Sequence, residues 1–268
     1  MLKHYLLIAI RNLLKYKTQS IVSIIGLAMG FTCFALATLW IRYEMTYDNF
    51  REGAERIFLV RNEDKNSKDG LSTVTPSPLA AYLQETFPEI EQAGNTRGGD
   101  FEFKYEGITH PSCIIDMDSA LMKTFPVRLI SGNTNFLLPN NKEIAITEEL
   151  AEKLFGKENP IGKELMIYNE KRPVCAVVQS WGTHTNIPFD IIEANHQYAY
   201  WGALNWSTYI KVMEGTDIKA FSKKLYEHTI EQDHTLLEHL VLTPITRLRY
   251  DHPIEEAVIV DEKTGRMT

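Results

Sequence analysis

The chain has 268 residues, of which 44% are hydrophobic and 24% charged, a composition that supports a sizeable globular core. Its formal net charge of −7 argues against a nucleic-acid-binding protein, which would carry a basic face. Three cysteines are too few for a disulfide scaffold. Cys113 and Cys175 lie in strand-like stretches, so two buried free thiols and a disulfide formed in an oxidising compartment both stay open.

Residues 1–18 predict an amphipathic helix. Leu2, Leu6, Ile10 and Leu13 recur at helical spacing, and the polar residues between them fall on another side. This pattern fits a helix lying along the cytoplasmic surface of a membrane. A merely charged flank is the alternative interpretation.

The uncharged stretch 20–41 predicts a transmembrane helix over 19–41. A helix of this length reaches about 33 Å, just beyond a hydrocarbon core of about 30 Å. A cleavable signal peptide would have a shorter apolar region ending in small residues. This stretch instead ends in Trp40 and Ile41, followed by Arg42 and Tyr43, which suit a membrane interface. Its length and uniform apolarity also disfavour a buried core helix.

The basic residues around this stretch predict its orientation. Four precede it and three follow it closely: Lys3, Arg11, Lys15 and Lys17, then Arg42, Arg51 and Arg56. The positive-inside rule therefore predicts a cytoplasmic N-terminus, with residues from 42 onward outside.

Two glycines within the span predict a helix-packing face. Gly26 and Gly30 form a G-x-x-x-G pattern, which allows a second helix to approach closely in lipid. Because glycine is common in membrane helices, the pattern indicates only that a partner helix would fit.

The chain from residue 42 onward predicts a mixed α/β extracytoplasmic domain. The whole is therefore expected to be an α+β protein with a single N-terminal transmembrane helix. A turn is predicted at 97–100, and the stretch 143–156 predicts a strand feeding a helix that Thr147 caps and Gly156 ends. Further helices are predicted over 77–90, over 119–125, and from about 217 to 228 or beyond. Further strands are predicted over 57–62, 101–107, 112–118, 164–168, 173–181 and 207–213.

No chemical motif stands out in the chain. It has no phosphate loop, no dinucleotide fingerprint and no G-x-S-x-G turn. His234 and Glu238 are four residues apart, but two ligands do not make a metal site. His184 is interpreted as a turn residue. We therefore predict no enzyme, with no catalytic residue, no cofactor and no metal ligand.

Four stretches resemble ABC transporter permeases of the MacB/FtsX type. The first runs from the apolar span into a Tyr-Asp-x-Phe element and a short strand, through Gly26, Gly30, Glu44, Tyr47, Asp48, Phe50 and Ile57. The second is similar to an extracytoplasmic LFG-x-x-x-P-I-G-K segment, through Leu154, Phe155, Gly156, Pro160, Ile161, Gly162 and Lys163. The third, 175–194, resembles the strand and loop that follow, and 242–250 resembles the element that returns the chain to the membrane.

The middle motif has a structural interpretation. Gly156 can adopt the left-handed conformation that ends a helix, and Pro160 enforces an extended turn. Gly162 permits a second turn into the following strand. None of these residues brings reactive chemistry, so they are expected to shape the domain.

The resemblance implies a permease subunit in the bacterial inner membrane, with a MacB-like periplasmic core domain over 42–250. A strand-rich lobe is expected to be inserted at 96–200. Such permeases have four membrane helices and work as dimers, so the implied partners are lipid, a second permease chain and a separate ATPase subunit. Motion driven by that ATPase would act through the outer domain.

The end of the chain departs from the family pattern. A polar tail, 251–268, stands where further apolar spans are expected. This predicts either a truncated gene product, the N-terminal fragment of a permease, or a true single-pass relative. A single-pass anchored binding or sensor module is therefore the alternative function, and an anchored enzyme is a third, less favoured one.

Overall fold

The structure is a computed structural model that describes residues 2–49, 51–65, 67, 70–182, 184–194 and 200–248. The predicted tail and Phe50 of the Tyr-Asp-x-Phe element lie outside the described residues. The chain falls into two compact units, Met1–Thr46 and Tyr47–Thr268.

The first unit consists of two helices, α1 (Leu2–Lys15) and α2 (Lys17–Glu44). In the described part of the chain, α2 is the one helix long and apolar enough to cross a membrane. Two of its polar side chains are satisfied within the helix. Thr32 and Thr38 donate to the carbonyls one turn earlier, each at 2.8 Å. Such internal bonds suit a helix in lipid, where no water is available to accept them.

The second unit is built from helices and strands that alternate along the chain. Its helices are α3 (Leu79–Thr86), α4 (Ser119–Thr124), α5 (Glu148–Phe155) and α6 (Ile218–Tyr226). Its strands are β1 (Ile57–Glu63), β2 (Leu71–Ser72), β3 (Ile90–Thr96), β4 (Gly98–Tyr105), β5 (Ile108–Met117), β6 (Leu129–Gly132), β7 (Ile144–Thr147), β8 (Glu164–Ile167), β9 (Glu170–Val178), β10 (Ile191–Ala194), β11 (Ser207–Val212) and β12 (Leu240–Pro244). The predicted α+β class is confirmed.

The first sheet is antiparallel, in the order β12-β1-β11-β3, with β2 pairing to β1. Strand β1 is apolar from Ile57 to Val60 because both of its faces are covered there. Phe58 and Val60 face a core formed with α3 and α6, whereas Ile57 and Leu59 face the second sheet.

The second sheet has the order β6-β9-β7-β10-β5-β4-β8. Because β8 also pairs with β9, six of these strands close into a ring. The ring encloses its own core, which α5 completes with Leu150, Ala151 and Phe155. All seven strands fall between Gly98 and Ala194, so the sheet lies within the chain between β3 and β11.

A central core joins the two sheets. Ile57, Leu59 and Tyr209 of the first sheet share it with Ile115 and Ala176 of the second. Each of these side chains is less than a tenth exposed. The two sheets are therefore held together by apolar packing as well as by the connecting chain.

The helix predicted over 77–90 is shorter in the structure, and this boundary was wrong. α3 ends at Thr86, and Phe87 is extended, with φ −116° and ψ 109°. Pro88 follows directly, and a proline disfavours helical conformation in the residue before it. The chain then enters β3 at Ile90.

The turn predicted at 97–100 was also wrong, because β4 begins at Gly98. Gly98 pairs with Ile115, and a Cβ at Gly98 would lie 2.6 Å from the carbonyl oxygen of Ile114. The glycine therefore allows two backbones to approach closely within a ladder, which is a strand role for glycine.

Candidate functional site

A buried carboxylate, Asp48, lies four residues after the end of α2. Its side chain accepts hydrogen bonds from Arg51 Nε at 3.2 Å and from the Thr185 hydroxyl at 2.6 Å. Asn186 donates both its backbone N–H, at 2.9 Å, and its side-chain amide, at 2.7 Å. We call Asp48, Arg51, Thr185 and Asn186 the Asp48 cluster. Asp48 itself is 1% exposed.

Local backbone conformation places Asp48 at this point. The chain turns over residues 45–49, and Asp48 has a φ of +54°. Aspartate tolerates the left-handed region better than most residues because its short side chain can bond locally. The Asp48 N–H donates to the carbonyl of His184 at 3.2 Å, which bonds Asp48 to the loop between β9 and β10.

Arg51 balances the buried carboxylate. Its side chain is 5% exposed, and its guanidinium lies 4.1 Å from the ring centroid of Trp181 and 4.8 Å from that of Phe125. Burial lowers the pKa of Arg51, and Asp48 opposes this shift. The pair is thus a desolvated ion pair with aromatic faces on the cation, and removing one partner would leave a buried unpaired charge.

The returning end of the domain meets the same cluster. The Asn186 side chain also donates to the carbonyl of Ile245 at 3.4 Å. Ile245 is 1% exposed in the central core, and Leu248 is buried nearby in the same core. The Asp48 cluster therefore bonds the segment that leaves α2 to an internal loop and to the point where the chain leaves β12.

The histidines singled out in the sequence are not brought together. His184 lies in the loop of the Asp48 cluster, where its ring is 4.2 Å from that of Tyr47. His234 and Glu238 lie in irregular chain after α6, so their spacing of four does not place them on one helix face. Among the described residues, no three His, Cys, Asp or Glu side chains form a group that could hold a metal ion.

Residues of the predicted LFG motif pack in and against the core of the six-stranded ring. Phe155 is buried in the ring core, and Leu154 and Ile161 pack against that core from its edge. The side chain of Asn159, between them, accepts a hydrogen bond from the N–H of Ile161 at 3.1 Å. Lys163 lies outside, where its ammonium pairs with Glu158 at 3.0 Å.

The two glycines of this motif have positive φ. Gly156 has φ +60° and ψ −113°, a combination that lies outside the left-handed helical well named in the sequence interpretation and is open mainly to glycine. Gly162 has φ +85°, and its N–H donates to the carbonyl of Val174 at 2.8 Å. Pro160 accepts from the N–H of Lys163 at 3.0 Å, which closes the turn into β8. The role of this motif in shaping the domain stays a prediction.

The two glycines of α2 have free space beside them among the described residues. A Cβ built on Gly26 or Gly30 would meet no atom within 4 Å among the described residues. The predicted packing of another helix on this face stays a prediction.

The cysteines are free. Cys175 is buried on β9, and Cys113 is half-buried on β5, where its thiol donates to the carbonyl of Pro188 at 3.1 Å. These two strands lie on opposite sides of the ring, three strands apart in either direction. A disulfide requires Cα atoms within about 7 Å of each other. Of the two possibilities left open by the sequence, the structure shows free thiols at Cys113 and Cys175.

Sequence reasoning found only part of the Asp48 cluster. The resemblance singled out Tyr47 and Asp48, and His184 was assigned to a turn. Thr185 and Asn186 were missed because they lie 137 and 138 residues from Asp48 in sequence. Their one signal was a polar pair inside a loop that follows a nearly continuous apolar strand.

Solved structures of similar fold come from transporter proteins. A domain of a protein described as a permease, from Porphyromonas gingivalis, has a TM-score of 0.58 at 20% identity, covering 72% of this chain and 92% of that one. The periplasmic region of MacB from Actinobacillus actinomycetemcomitans has a TM-score of 0.53 at 12% identity, covering 73% and 92%. The extracellular domain of the noncanonic ABC-type transporter YknZ from Gram-positive bacteria has a TM-score of 0.52 at 14% identity, covering 70% and 99%.

Because the sequence identities are low, these likenesses show the fold alone. No curated protein matches the chain. The family described as the MacB-like periplasmic core domain matches residues 20–227, which is most of the chain and includes the apolar helix. The predicted resemblance is thereby confirmed, and the chain belongs to the MacB-like periplasmic core domain family.

Proposed function

We propose that this chain is a permease subunit, or the N-terminal part of one, in a MacB/FtsX-type ABC transporter of the bacterial inner membrane. In this proposal α2 crosses the membrane once and the N-terminus is cytoplasmic. Residues 42–250 form the periplasmic core domain, with the strand-rich lobe inserted at about 96–200. The domain passes on motion that a separate ATPase drives.

The observation that best supports this role is the Asp48 cluster. Only Met45, Thr46 and Tyr47 separate the end of α2 from Asp48. Asp48 is in turn bonded to Thr185 and Asn186, which lie in the loop between β9 and β10. Short hydrogen bonds therefore join a residue near the start of the outer domain to the loop between two strands of the second sheet. A simple anchor would not require such a connection.

A second membrane helix and a second copy of the chain are part of the proposal. The open face at Gly26 and Gly30 fits close packing of another apolar helix, because small residues let backbones approach in lipid. The proposal involves no nucleic acid, which agrees with the acidic composition.

The alternative function, a single-pass anchored binding or sensor module, makes a different prediction about ATP. The test begins with purification of the full chain from native membranes in mild detergent, together with any protein that carries a phosphate-loop motif. Hydrogen exchange is then compared with and without ATP and vanadate. The permease proposal predicts a change in exchange in peptides covering 45–51 and 181–190.

The same experiment can also contradict the permease proposal. A chain that purifies without a phosphate-loop ATPase, or whose outer domain exchanges identically with and without ATP and vanadate, favours the anchored module. Exchange in α6 (Ile218–Tyr226), which lies outside the Asp48 cluster, is the internal reference.

A further inference from the structure

Two buried carboxyl groups face each other inside the six-stranded ring. Asp116 on β5 and Glu193 on β10 are direct partners in a parallel pairing. They continue the inward-facing rows that begin with Ile114 and Ile191, two residues earlier on each strand. Each is 3% exposed. We call Asp116 and Glu193 the carboxyl pair.

Other charged and titratable groups surround the carboxyl pair. Arg97, in the connection between β3 and β4, has its guanidinium 3.1 Å from Asp116 Oδ2. Arg172 on β9 has a side chain 9% exposed and lies in the inward row of Val174. The phenol of Tyr168, after β8, is within electrostatic reach of both carboxyls and both arginines.

The hydrogen bonding of the carboxyl pair is incomplete when both groups are ionised. Asp116 Oδ2 and Glu193 Oε2 are buried and have no hydrogen-bond partner among the described residues. Arg97 approaches Asp116 as an ion pair without the alignment of a hydrogen bond. Two carboxylates directly opposite each other on paired strands repel, and burial makes that repulsion costly. A single shared proton would convert the contact into a hydrogen bond and remove one charge.

A metal ion is a weaker explanation for these carboxyls. The guanidinium of Arg97 already occupies the position from which a cation would approach Asp116. No third carboxylate, histidine or cysteine joins the pair in the part of the chain that the structure describes.

We propose that Asp116 and Glu193 share one proton at neutral pH, and that loss of this proton loosens the pairing of β5 with β10, making this end of the ring a pH-responsive element. Burial raises the pKa of Asp116 to about 7; Arg97 opposes this shift and Glu193 adds to it. Since an aspartate in an open chain titrates near pH 4, the closed ring holds a proton that the open form releases. The stabilisation is fully present below about pH 4 and is lost as the pH rises through about 7.

The position of Asp116 gives this titration a structural consequence. Arg97 is the single residue between the end of β3 and the start of β4, so it marks a crossing from the first sheet to the second. The backbone of Asp116 holds that crossing. Its N–H donates to the carbonyl of Arg97, and its carbonyl accepts from the Thr96 hydroxyl, both at 2.7 Å. Loosening β5 at Asp116 therefore loosens a connection between the two sheets.

Hydrogen exchange of the full chain in detergent micelles tests the proposal. After correction for the intrinsic rate at each pH, protection of peptides covering 110–118 and 190–194 is expected to fall about tenfold from pH 6 to pH 8, with no further fall to pH 9. Asp116→Asn is expected to reduce this change to less than about twofold, because it removes the titrating group, whereas Glu193→Gln should reduce it only in part, because Asp116 stays buried.

The matched control is Glu102→Gln, which removes an exposed carboxylate from the neighbouring strand β4 and should respond like the unaltered chain. Protection that does not depend on pH in the unaltered chain overturns the proposal, as does a response that persists in Asp116→Asn. If both variants fail to fold, infrared difference spectra of the unaltered chain decide. A protonated-carboxyl band that disappears with a midpoint near pH 7 supports the shared proton, and its absence overturns it.

Discussion

At the scale of single residues, the Asp48 cluster is the feature on which the proposed coupling depends most. Asp48 is a buried anion with four hydrogen-bond donors, and Arg51 is a buried cation that stacks on Trp181. A buried ion pair is not necessarily more stable than an apolar substitute, yet breaking one by removing a single partner is costly. The cluster therefore tolerates the loss of both charges better than the loss of one.

This argument predicts a double-mutant result. Asp48→Asn should lower the free energy of unfolding by about 3 kcal/mol, because Arg51 is left buried without its counter-ion. Asp48→Asn combined with Arg51→Met should be at least about 1 kcal/mol more stable than Asp48→Asn alone. The measurement is denaturant unfolding of the full chain in micelles, followed by tryptophan fluorescence.

The control for that series is Asp233→Asn, since Asp233 is exposed. Its effect should stay within about 0.5 kcal/mol. Strictly additive losses in the double variant would contradict the coupling of Asp48 to Arg51.

The cysteines provide a second prediction at this scale. Burial raises the pKa of Cys175 to about 11, and burial with two nearby aspartates raises that of Cys113 to about 12. Because the thiolate is the reactive form, iodoacetamide at pH 7.5 should alkylate both at least about 100-fold more slowly in the folded chain than after unfolding. Peptide mass spectrometry reads the rates, and a Cys113–Cys175 disulfide in a non-reducing digest would contradict the fold.

At the scale of elements, strand β4 begins at Gly98, where the sequence pattern predicted a turn at 97–100. Gly98 and Gly99 are neighbours, and neither has positive φ. A Cβ at Gly98 would meet the Ile114 carbonyl at 2.6 Å, whereas one at Gly99 would find its nearest neighbour at 3.8 Å. Gly98→Ala should therefore lower the free energy of unfolding by about 1–3 kcal/mol, as overpacking does, and Gly99→Ala by much less.

Thermal unfolding of the two variants side by side is the measurement. Equal losses would mean that the segment 97–100 is a turn, as the sequence pattern predicted. The comparison needs no other control because the two positions differ in their surroundings and not in their chemistry.

Elements with strong local signals could be predicted from the sequence. The apolar run that opens β1 and the stretch that leads into α5 are examples, and Thr147 caps α5 by accepting from the N–H of Leu150. The predicted cap is what the structure shows, because an N-cap depends on neighbouring residues alone.

Other elements could not be predicted because their stability comes from distant partners. β3, with the sequence IEQAGNT, has little strand propensity, and β11 pairs with it from more than a hundred residues away. β10 is four residues long and becomes a strand between β5 and β7. The Asp48 cluster could not be predicted in full for the same reason, because Thr185 and Asn186 lie far along the chain from Asp48 and Arg51.

At the scale of the whole molecule, a membrane-anchored chain carries an extracytoplasmic-type domain of two sheets. The first sheet receives the chain after α2 and releases it again at β12, and the second sheet is formed entirely in between. Asn186 of the Asp48 cluster bonds both to Asp48 near the start of this domain and to Ile245 after β12. The proposed permease role depends on this arrangement and on a single crossing by α2.

Cysteine labelling of intact cells tests that crossing most directly. In a background with Cys33, Cys113 and Cys175 replaced by alanine, Lys171→Cys places a thiol at a site whose lysine side chain is 68% exposed in the outer domain. Lys15→Cys, on the exposed end of α1, is the matched cytoplasmic control. A membrane-impermeant maleimide should label Lys171→Cys in intact cells and Lys15→Cys only after lysis. Labelling of Lys15→Cys in intact cells while Lys171→Cys stays protected would contradict the account.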